Sequence, residues 1–254
     1  MNQVTASNWP YPKFIAHRGA GKIAPENTLA AFRVGSQHGY RAFECDVKLS
    51  ADGELFLLHD ATLTRTTAYG GETPVAGQHP WAALSKLDAG SWHSRAYAGE
   101  PLPSLQAIAR YCQANGARLN IEIKPTPGTE TQTGEAVANA CAALWAGRQD
   151  LPLLSSFQPA ALAAAQQAKA DIPRALLLDT PRNIWLGEAT TLGCAAVVCN
   201  YALWDSARVA AVHALGMKCL SYTVNEEWAA QHLIALKTDG IITDRVDLFS
   251  ATPS

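Results

Sequence analysis

The sequence predicts a single (β/α)₈ barrel, and three observations lead to that fold class. The chain has 254 residues, close to the ~250 that such a barrel typically requires. Its composition, 48% hydrophobic and 17% charged, is ordinary for a soluble globular protein. Short apolar runs alternate with Ala-rich stretches of helical composition, which is the pattern of parallel β-α units.

Eight apolar runs are the predicted strands, and eight is the number that closes a barrel. They are Phe14–Ala16, Ala42–Val47, Leu119–Ile123, Leu153–Ser156, Ala175–Leu178, Ala196–Cys199, Leu220–Val224 and Gly240–Thr243. Because alternation does not by itself prove closure, a doubly wound open sheet is the alternative fold.

One segment, at about 62–103, interrupts this alternation. It is rich in glycine and proline and is too long for an ordinary loop between a strand and a helix. We therefore predict a small insertion after the second strand, within one domain that spans residues 1–254. Ser104 is expected to cap the helix that follows the insertion.

Composition and charge exclude several classes of partner. The 20 basic and 22 acidic residues give a formal net charge of −2 without runs of like charge, which argues against nucleic-acid binding and stable membrane association. No apolar run approaches the ~18 residues of a spanning helix, and the first residues show no secretory signal. The six scattered cysteines contain no C-x-x-C pair, so we expect reduced thiols and a cytoplasmic location.

Polar residues cluster where the predicted strands end, which is where barrel enzymes carry their chemistry. Glu44 and Asp46 share one face of a strand because side chains alternate with a period of two. Glu122 and Lys124 follow the same rule on the next barrel strand. Three carboxylates facing one cavity repel each other, so we predict one divalent cation, Mg²⁺ or Ca²⁺. The alternative is a structural salt-bridge cluster of these carboxylates with Arg18 and Lys124.

Two histidines lie near this predicted metal site. His17 follows the first strand, and His59 ends the extended stretch 55–58. A pair of imidazoles can act as acid and base near pH 7, while Arg18 and Lys124 can hold an anion. This combination suits a phosphodiester better than a neutral sugar or a peptide.

Several motifs then carry a resemblance to a known family. They are His17-Arg18-Gly19, Pro25-Glu26-Asn27-Thr28, Glu44-x-Asp46, Leu58-His59-Asp60, Asn120-Ile-Glu122-Ile-Lys124, Ser156-Phe157, Thr223-Val224-Asn225 and Asp239-Gly240-Ile241-Ile242-Thr243-Asp244. In this order, from about Phe14 to Asp244, they resemble the glycerophosphodiester phosphodiesterases.

The resemblance implies metal-dependent hydrolysis of glycerophosphodiesters to glycerol 3-phosphate and an alcohol. By motif, Glu44, Asp46 and Glu122 would hold the metal, His17 and His59 would be the acid/base pair, and Arg18 and Lys124 would bind the phosphate. The family favours attack by the substrate's own glycerol hydroxyl, which gives a cyclic phosphate, but direct attack by water stays open.

One residue departs from the family pattern. Tyr222 stands where the family often has tryptophan, and with Phe157 it could form an apolar wall for part of the substrate. This departure leaves the preference for the leaving alcohol open.

Three other functions remain compatible with these residues. The first is a related barrel phosphodiesterase that acts on phospholipids or phosphoinositides. The second is an aldolase that uses Lys124 as a Schiff base, although it leaves the carboxylate trio unexplained. The third is a non-catalytic barrel that binds glycerophosphodiesters.

Overall fold

In the computed structural model, which describes residues 9–180 and 183–251, eight parallel strands form a closed barrel. A ninth strand, β3, is antiparallel and lies outside the barrel. The strands found in these ranges are β1 Phe14–Ala16, β2 Ala42–Leu49, β3 Leu55–Leu57, β4 Arg118–Ile123, β5 Leu153–Ser156, β6 Arg174–Leu178, β7 Ala196–Asn200, β8 Lys218–Tyr222 and β9 Gly240–Thr243.

Strand β1 closes the barrel by pairing with both β9 and β2. Phe14 lies opposite Ile241 in the β9 pairing, and Ala16 lies opposite Phe43 in the β2 pairing. This closure confirms the predicted (β/α)₈ barrel and rules out the open sheet. The predicted strand 220–224 is wrong by two residues, because strand pairing ends at Tyr222.

Helices follow the barrel strands and form the outer layer. The side chains of Thr28 and Ser104 accept hydrogen bonds from the first turns of the helices that they precede, which confirms the predicted cap at Ser104. No helix in the two described ranges is long and apolar enough to cross a membrane. The helices are α1 Leu29–Gln37, α2 Trp81–Leu84, α3 Leu105–Ala114, α4 Glu130–Leu144, α5 Pro159–Ala168, α6 Trp185–Thr191, α7 Ser206–Ala214 and α8 Glu227–Ala235.

Apolar side chains fill the barrel near the amino ends of its strands. Tyr11 lies among them, and its hydroxyl donates to the Leu119 carbonyl oxygen (2.8 Å) and accepts from the Leu153 N–H (2.9 Å). The interior is therefore packed at this end, and its polar side chains lie toward the other. The buried residues of this inner cluster are Tyr11, Ile15, Ala42, Leu153, Ala175, Leu177, Ala196, Val198, Leu220 and Ile242.

Strand β3 extends the barrel wall on one side. Residues 47–49 of β2 pair antiparallel with residues 55–57 of β3, which is why β2 runs two residues past its predicted end. The segment 62–103, the predicted insertion, contacts the first turn of α1, where Glu100 accepts a hydrogen bond from the Ala30 N–H (2.9 Å). Its own small core consists of Phe56, Leu58, Leu63, Ala76, Leu84, Ala89 and Leu102.

Candidate active site

The loop after β1 carries His17 and Arg18 and is tightly turned. Arg18 has a φ of +50° and Gly21 has a φ of +58°, and both values lie in the left-handed region. Gly21 also packs directly on the backbone of Asp244, so that an added Cβ would overlap it. Only glycine satisfies both constraints at this position. The turn lets the Arg18 N–H donate to Glu44 (3.1 Å).

Glu44, Asp46 and Glu122 form a buried carboxylate cluster. Asp46 lies opposite Glu122 in the pairing of β2 with β4, and oxygens of all three side chains lie within 4.8 Å of one another. Burial, reinforced by the neighbouring carboxylates, raises the pKa of Glu44 well above its usual value. Burial and the charge of Asp46 likewise raise the pKa of Glu122 to about 7.

Two cations partly offset this negative charge. Arg18 Nε lies 3.3 Å from Asp46, and Lys124 Nζ lies 2.9 Å from Glu122 and 3.5 Å from Asp46. Burial alone would raise the pKa of Asp46, but Arg18 and Lys124 outweigh it and hold that pKa below its usual range. With all three carboxylates ionised, two cations would leave negative charge uncompensated. Their oxygen atoms are the donors that Mg²⁺ or Ca²⁺ prefers.

Asn27 fixes the orientation of Asp46. Its side-chain amide donates to an Asp46 oxygen (2.8 Å), and its amide oxygen accepts from the Asp46 N–H (3.1 Å). Asn27 itself has a φ of +58°, a region that asparagine tolerates better than most residues. The sequence interpretation named Asn27 only as part of a family motif and missed its contact with the carboxylate cluster.

His17 is held by the loop that follows β9. Its Nδ1 lies 2.7 Å from Asp244, and its Nε2 lies 3.7 Å from Glu44. Asn225 donates to the other Asp244 oxygen (2.9 Å) and accepts from the Asp244 N–H (3.0 Å). Burial would raise the pKa of Asp244, but the hydrogen bond and charge of His17, together with the hydrogen bond from Asn225, outweigh it and bring that pKa to about 2.

His59 has the same type of support from a different loop. Its Nδ1 lies 2.7 Å from Asp60, the next residue in the chain. Arg65 donates two hydrogen bonds to the Asp60 carboxylate and thereby lowers the pKa of Asp60. Burial lowers the pKa of His59, which favours a neutral imidazole at pH 7.

Phe157 and Tyr222 contact each other beside Lys124. Their rings meet edge to face at 5.7 Å, and the Lys124 ammonium lies 5.8 Å from the Phe157 ring centre. The Tyr222 hydroxyl donates to the Leu178 carbonyl oxygen (2.9 Å). That bond holds the ring in place and occupies the hydroxyl proton.

A buried lysine near the site was not predicted. Lys48 is only 1% exposed, and its ammonium donates to the Lys124 carbonyl oxygen (3.2 Å). Burial, with the nearby charge of Lys124, lowers its pKa to about 8. The alternation that grouped Glu44 with Asp46 would have placed Lys48 on the same face, had the predicted strand not ended at residue 47.

Most of the predicted site residues are linked through direct contacts at the carboxyl end of the barrel. His59 lies on the loop after β3, and the chain of contacts that joins it to Arg18 runs through residues to which the sequence interpretation gave no role. The predicted residues could be picked out because they lie at strand ends. The hydrogen-bond partners of these residues depend on how the loops fold, which the sequence pattern does not show. The site residues to which sequence reasoning assigned no functional role are Glu26, Asn27, Lys48, Asp60, Arg65, Asn225 and Asp244.

The comparison with protein families agrees with this geometry. The family model of the glycerophosphoryl diester phosphodiesterases matches residues 17–248. The chain therefore belongs to the glycerophosphoryl diester phosphodiesterase family. This result confirms the resemblance seen in the motifs and the predicted class of enzyme.

Individual relatives match over nearly their full length. The glycerophosphodiester phosphodiesterase of Caldanaerobacter subterraneus is 30% identical over 234 residues, which cover 91% of this chain and 93% of the relative. A phosphodiesterase from Oleispira antarctica, solved in complex with the product sn-glycerol-3-phosphate, has a TM-score of 0.87 and 35% identity, and covers 95% and 96% of the two chains. The glycerophosphodiester phosphodiesterase of Agrobacterium tumefaciens has a TM-score of 0.77 and 26% identity, with 95% and 100% covered.

Proposed function

We propose that this chain hydrolyses glycerophosphodiesters to glycerol 3-phosphate and an alcohol. His17 and His59 act as its acid/base pair, next to a divalent cation, Mg²⁺ or Ca²⁺, held by Glu44, Asp46 and Glu122. One observation carries the proposal: two imidazoles, each paired with an aspartate through Nδ1, lie at the same barrel end as a buried carboxylate trio. Family membership supports the substrate class.

Both imidazoles are oriented for proton transfer. Pairing of Nδ1 with Asp244 in His17, and with Asp60 in His59, leaves the Nε2 atoms to exchange protons with the substrate. In each pair the aspartate favours the tautomer that carries its proton on Nδ1 and stabilises the cation that forms when Nε2 is protonated. One ring removes a proton from the attacking hydroxyl, and the other supplies one to the leaving alcohol.

Arg18 and Lys124 bind the phosphate in this proposal. The planar fork of Arg18 suits two phosphate oxygens, whereas Lys124 offers a compact charge. Both groups are already held by carboxylates of the site, so little side-chain motion is lost when the substrate binds. Phe157 and Tyr222 form an apolar wall for part of the substrate.

The carboxylate trio is suited to a hard cation because all its donors are oxygen atoms. When bound, the cation would neutralise charge on the phosphoryl oxygens. Asn27 keeps one Asp46 oxygen in a fixed direction, and Lys124 does the same for Glu122. These contacts preorganise Asp46 and Glu122 before the ion binds.

The charge state of Lys124 argues against a Schiff-base aldolase. Burial alone would lower the pKa of Lys124, but Asp46 and Glu122 outweigh it and raise that pKa. An amine that stays protonated is a poor nucleophile. This contact pattern therefore favours an electrostatic role for Lys124.

The first experiment measures release of glycerol 3-phosphate from glycerophosphocholine and glycerophosphoethanolamine, with EDTA, Mg²⁺ or Ca²⁺ added in turn. The proposal expects release that EDTA abolishes and one ion restores. Glu44→Gln should raise the ion concentration for half-maximal activity at least about tenfold, since a ligand oxygen becomes neutral. Glu135→Gln, on the exposed face of α4, is the control and should leave that concentration unchanged.

Two outcomes would contradict the proposal, each in a different part. Release that persists in EDTA would contradict the role of the cation. If wild-type protein releases nothing with either ion, the substrate class is wrong, and intact phospholipid vesicles become the next substrate to try.

A further inference from the structure

Arg65, in the insertion, holds two carboxylates at once. Its Nε donates to Asp60 Oδ2 (2.6 Å) and its Nη2 to Asp60 Oδ1 (3.0 Å). On the other edge of the guanidinium, Nη1 donates to Glu26 Oε2 (2.9 Å) and Nη2 to Glu26 Oε1 (2.7 Å). The planar guanidinium thus makes a two-point contact with each carboxylate.

Each of these carboxylates also holds a residue of the proposed machinery. Asp60 Oδ1 lies 2.7 Å from His59 Nδ1, and Glu26 Oε1 accepts from Arg18 Nη1 (2.8 Å). An unbroken series of hydrogen bonds therefore runs from the acid/base histidine on the β3 loop to the phosphate-binding arginine on the β1 loop. Arg65 is the middle of that series.

We propose that Arg65 is a positioning residue that fixes His59 relative to Arg18. The inference rests on the proposed function of these two side chains. His59 and Arg18 lie on separate loops, and the His59 loop follows β3, the strand that is not part of the barrel. The closed barrel alone does not set the separation of the two side chains, and Arg65 supplies the missing restraint.

The solvent exposure of Arg65 indicates that its contacts serve geometry more than stability. The Arg65 side chain is 44% exposed, so burial does not force it to pair, and isolated exposed ion pairs contribute little to stability. Two bidentate contacts on one guanidinium instead restrict the orientation of both carboxylates. The expected benefit is therefore in catalytic geometry more than in folding free energy.

Lysine cannot reproduce this contact. Its ammonium is a compact charge without the planar fork that matches two carboxylates at the same time. If Arg65 acts through geometry, Arg65→Lys should be nearly as impaired as Arg65→Gln even though it keeps the charge.

The test compares kcat and KM of Arg65→Gln and Arg65→Lys on glycerophosphocholine, at a saturating concentration of the ion that activates wild type. Thermal melting checks folding. Arg148→Gln is the matched control, because Arg148 is similarly exposed (37%) and makes a bidentate pair with Asp150 on the loop that enters β5 from the opposite end. We expect kcat to fall about 10- to 100-fold in both Arg65 variants, since small misplacements cost that much, with KM within about threefold of wild type.

Three results would overturn the inference while wild type is active. The first is a kcat in both Arg65 variants equal to the kcat of Arg148→Gln. The second is a rise in KM with unchanged kcat, and the third is a wild-type kcat in Arg65→Lys. If Arg65→Gln does not fold, Glu26→Gln breaks the same series at its other half and should lower kcat in the same way. An inactive wild type would instead refute the proposed function itself.

Discussion

Each proposed acid/base histidine has one ring nitrogen engaged and the other available. We expect His17→Ala and His59→Ala each to lower kcat by about 10²- to 10⁴-fold, the usual contribution of a positioned acid or base. His232→Ala, on the exposed side of α8, should leave kcat unchanged. Steady-state kinetics on glycerophosphocholine, with melting curves to verify folding, measure this, and a near-native rate in either variant would remove that histidine from the mechanism.

Asp244 determines which tautomer His17 adopts. Asp244→Asn keeps the shape but removes the charge that holds the Nδ1 proton, so we expect kcat to fall by ~10²- to 10⁴-fold. Asp239→Asn is a useful comparison, because Asp239 pairs with His213 at 2.8 Å before β9 begins, at the other end of the barrel. Per folded molecule, Asp239→Asn should retain wild-type turnover. Equal losses in the two variants would indicate a general structural effect.

Residues whose position depends on strand alternation could be predicted from sequence. Glu44, Asp46 and Glu122 were found in this way, because register carries them to one face. Arg65 could not be found, since its partners Glu26 and Asp60 belong to two loops whose approach depends on the folded chain. Lys48 was missed only because the predicted strand was too short.

At the scale of an element, the β1 loop depends on its close approach to the loop after β9. Gly21→Ala adds a Cβ that overlaps the Asp244 backbone, at a positive φ as well. Gly116→Ala is the control, because it has a nearly equal φ of +61° with nothing within 4 Å. The control should lower the free energy of unfolding by about 1–2 kcal/mol.

For Gly21→Ala we expect a further loss of at least about 1 kcal/mol from the overlap, together with reduced kcat because Asp244 supports His17. Urea unfolding and steady-state kinetics measure both effects. Equal unfolding free energies for the two variants would mean that the loop moves away without cost.

Strands that belong to the barrel were easier to predict than the strand beside it. The barrel strands show apolar runs because both faces are covered. The stretch 55–57 also looked extended, but its antiparallel pairing with residues 47–49 depends on a turn that the apolar pattern does not encode. The predicted end of β8 was misplaced for a related reason, since pairing with β7, more than hydrophobicity, sets the last residue.

For the molecule as a whole, the carboxylate cluster couples stability to pH and to the metal. Glu44 and Glu122 have raised pKa values in the folded chain, so the folded state binds their protons more tightly than the unfolded state does. Stability of the metal-free protein therefore falls as pH rises from about 4.5 towards 7 at this cluster. A divalent cation that binds the ionised trio offsets that loss.

We therefore expect the activating ion to raise Tm more at pH 8 than at pH 5. The difference should be at least about 2 °C, because 1 kcal/mol shifts Tm by ~2–4 °C in a domain of this size. Melting curves with EDTA or with the ion, at both pH values, measure it. The same increase at both pH values would argue that the ion binds elsewhere.

The fold class was predictable because the apolar runs indicate the number and order of the strands. Closure of the barrel was not predictable, because it depends on the pairing of β1 with β9, which lies at the far end of the chain. The sequence could therefore suggest eight strands but could not exclude an open sheet.

Among the residues that the structure describes, the amino end of the barrel is closed by Tyr11 and its neighbours, so the site opens at the carboxyl end. The diester, the departing alcohol and glycerol 3-phosphate would then share that opening. A product that stays bound there would exclude the next substrate, so we expect glycerol 3-phosphate to inhibit competitively.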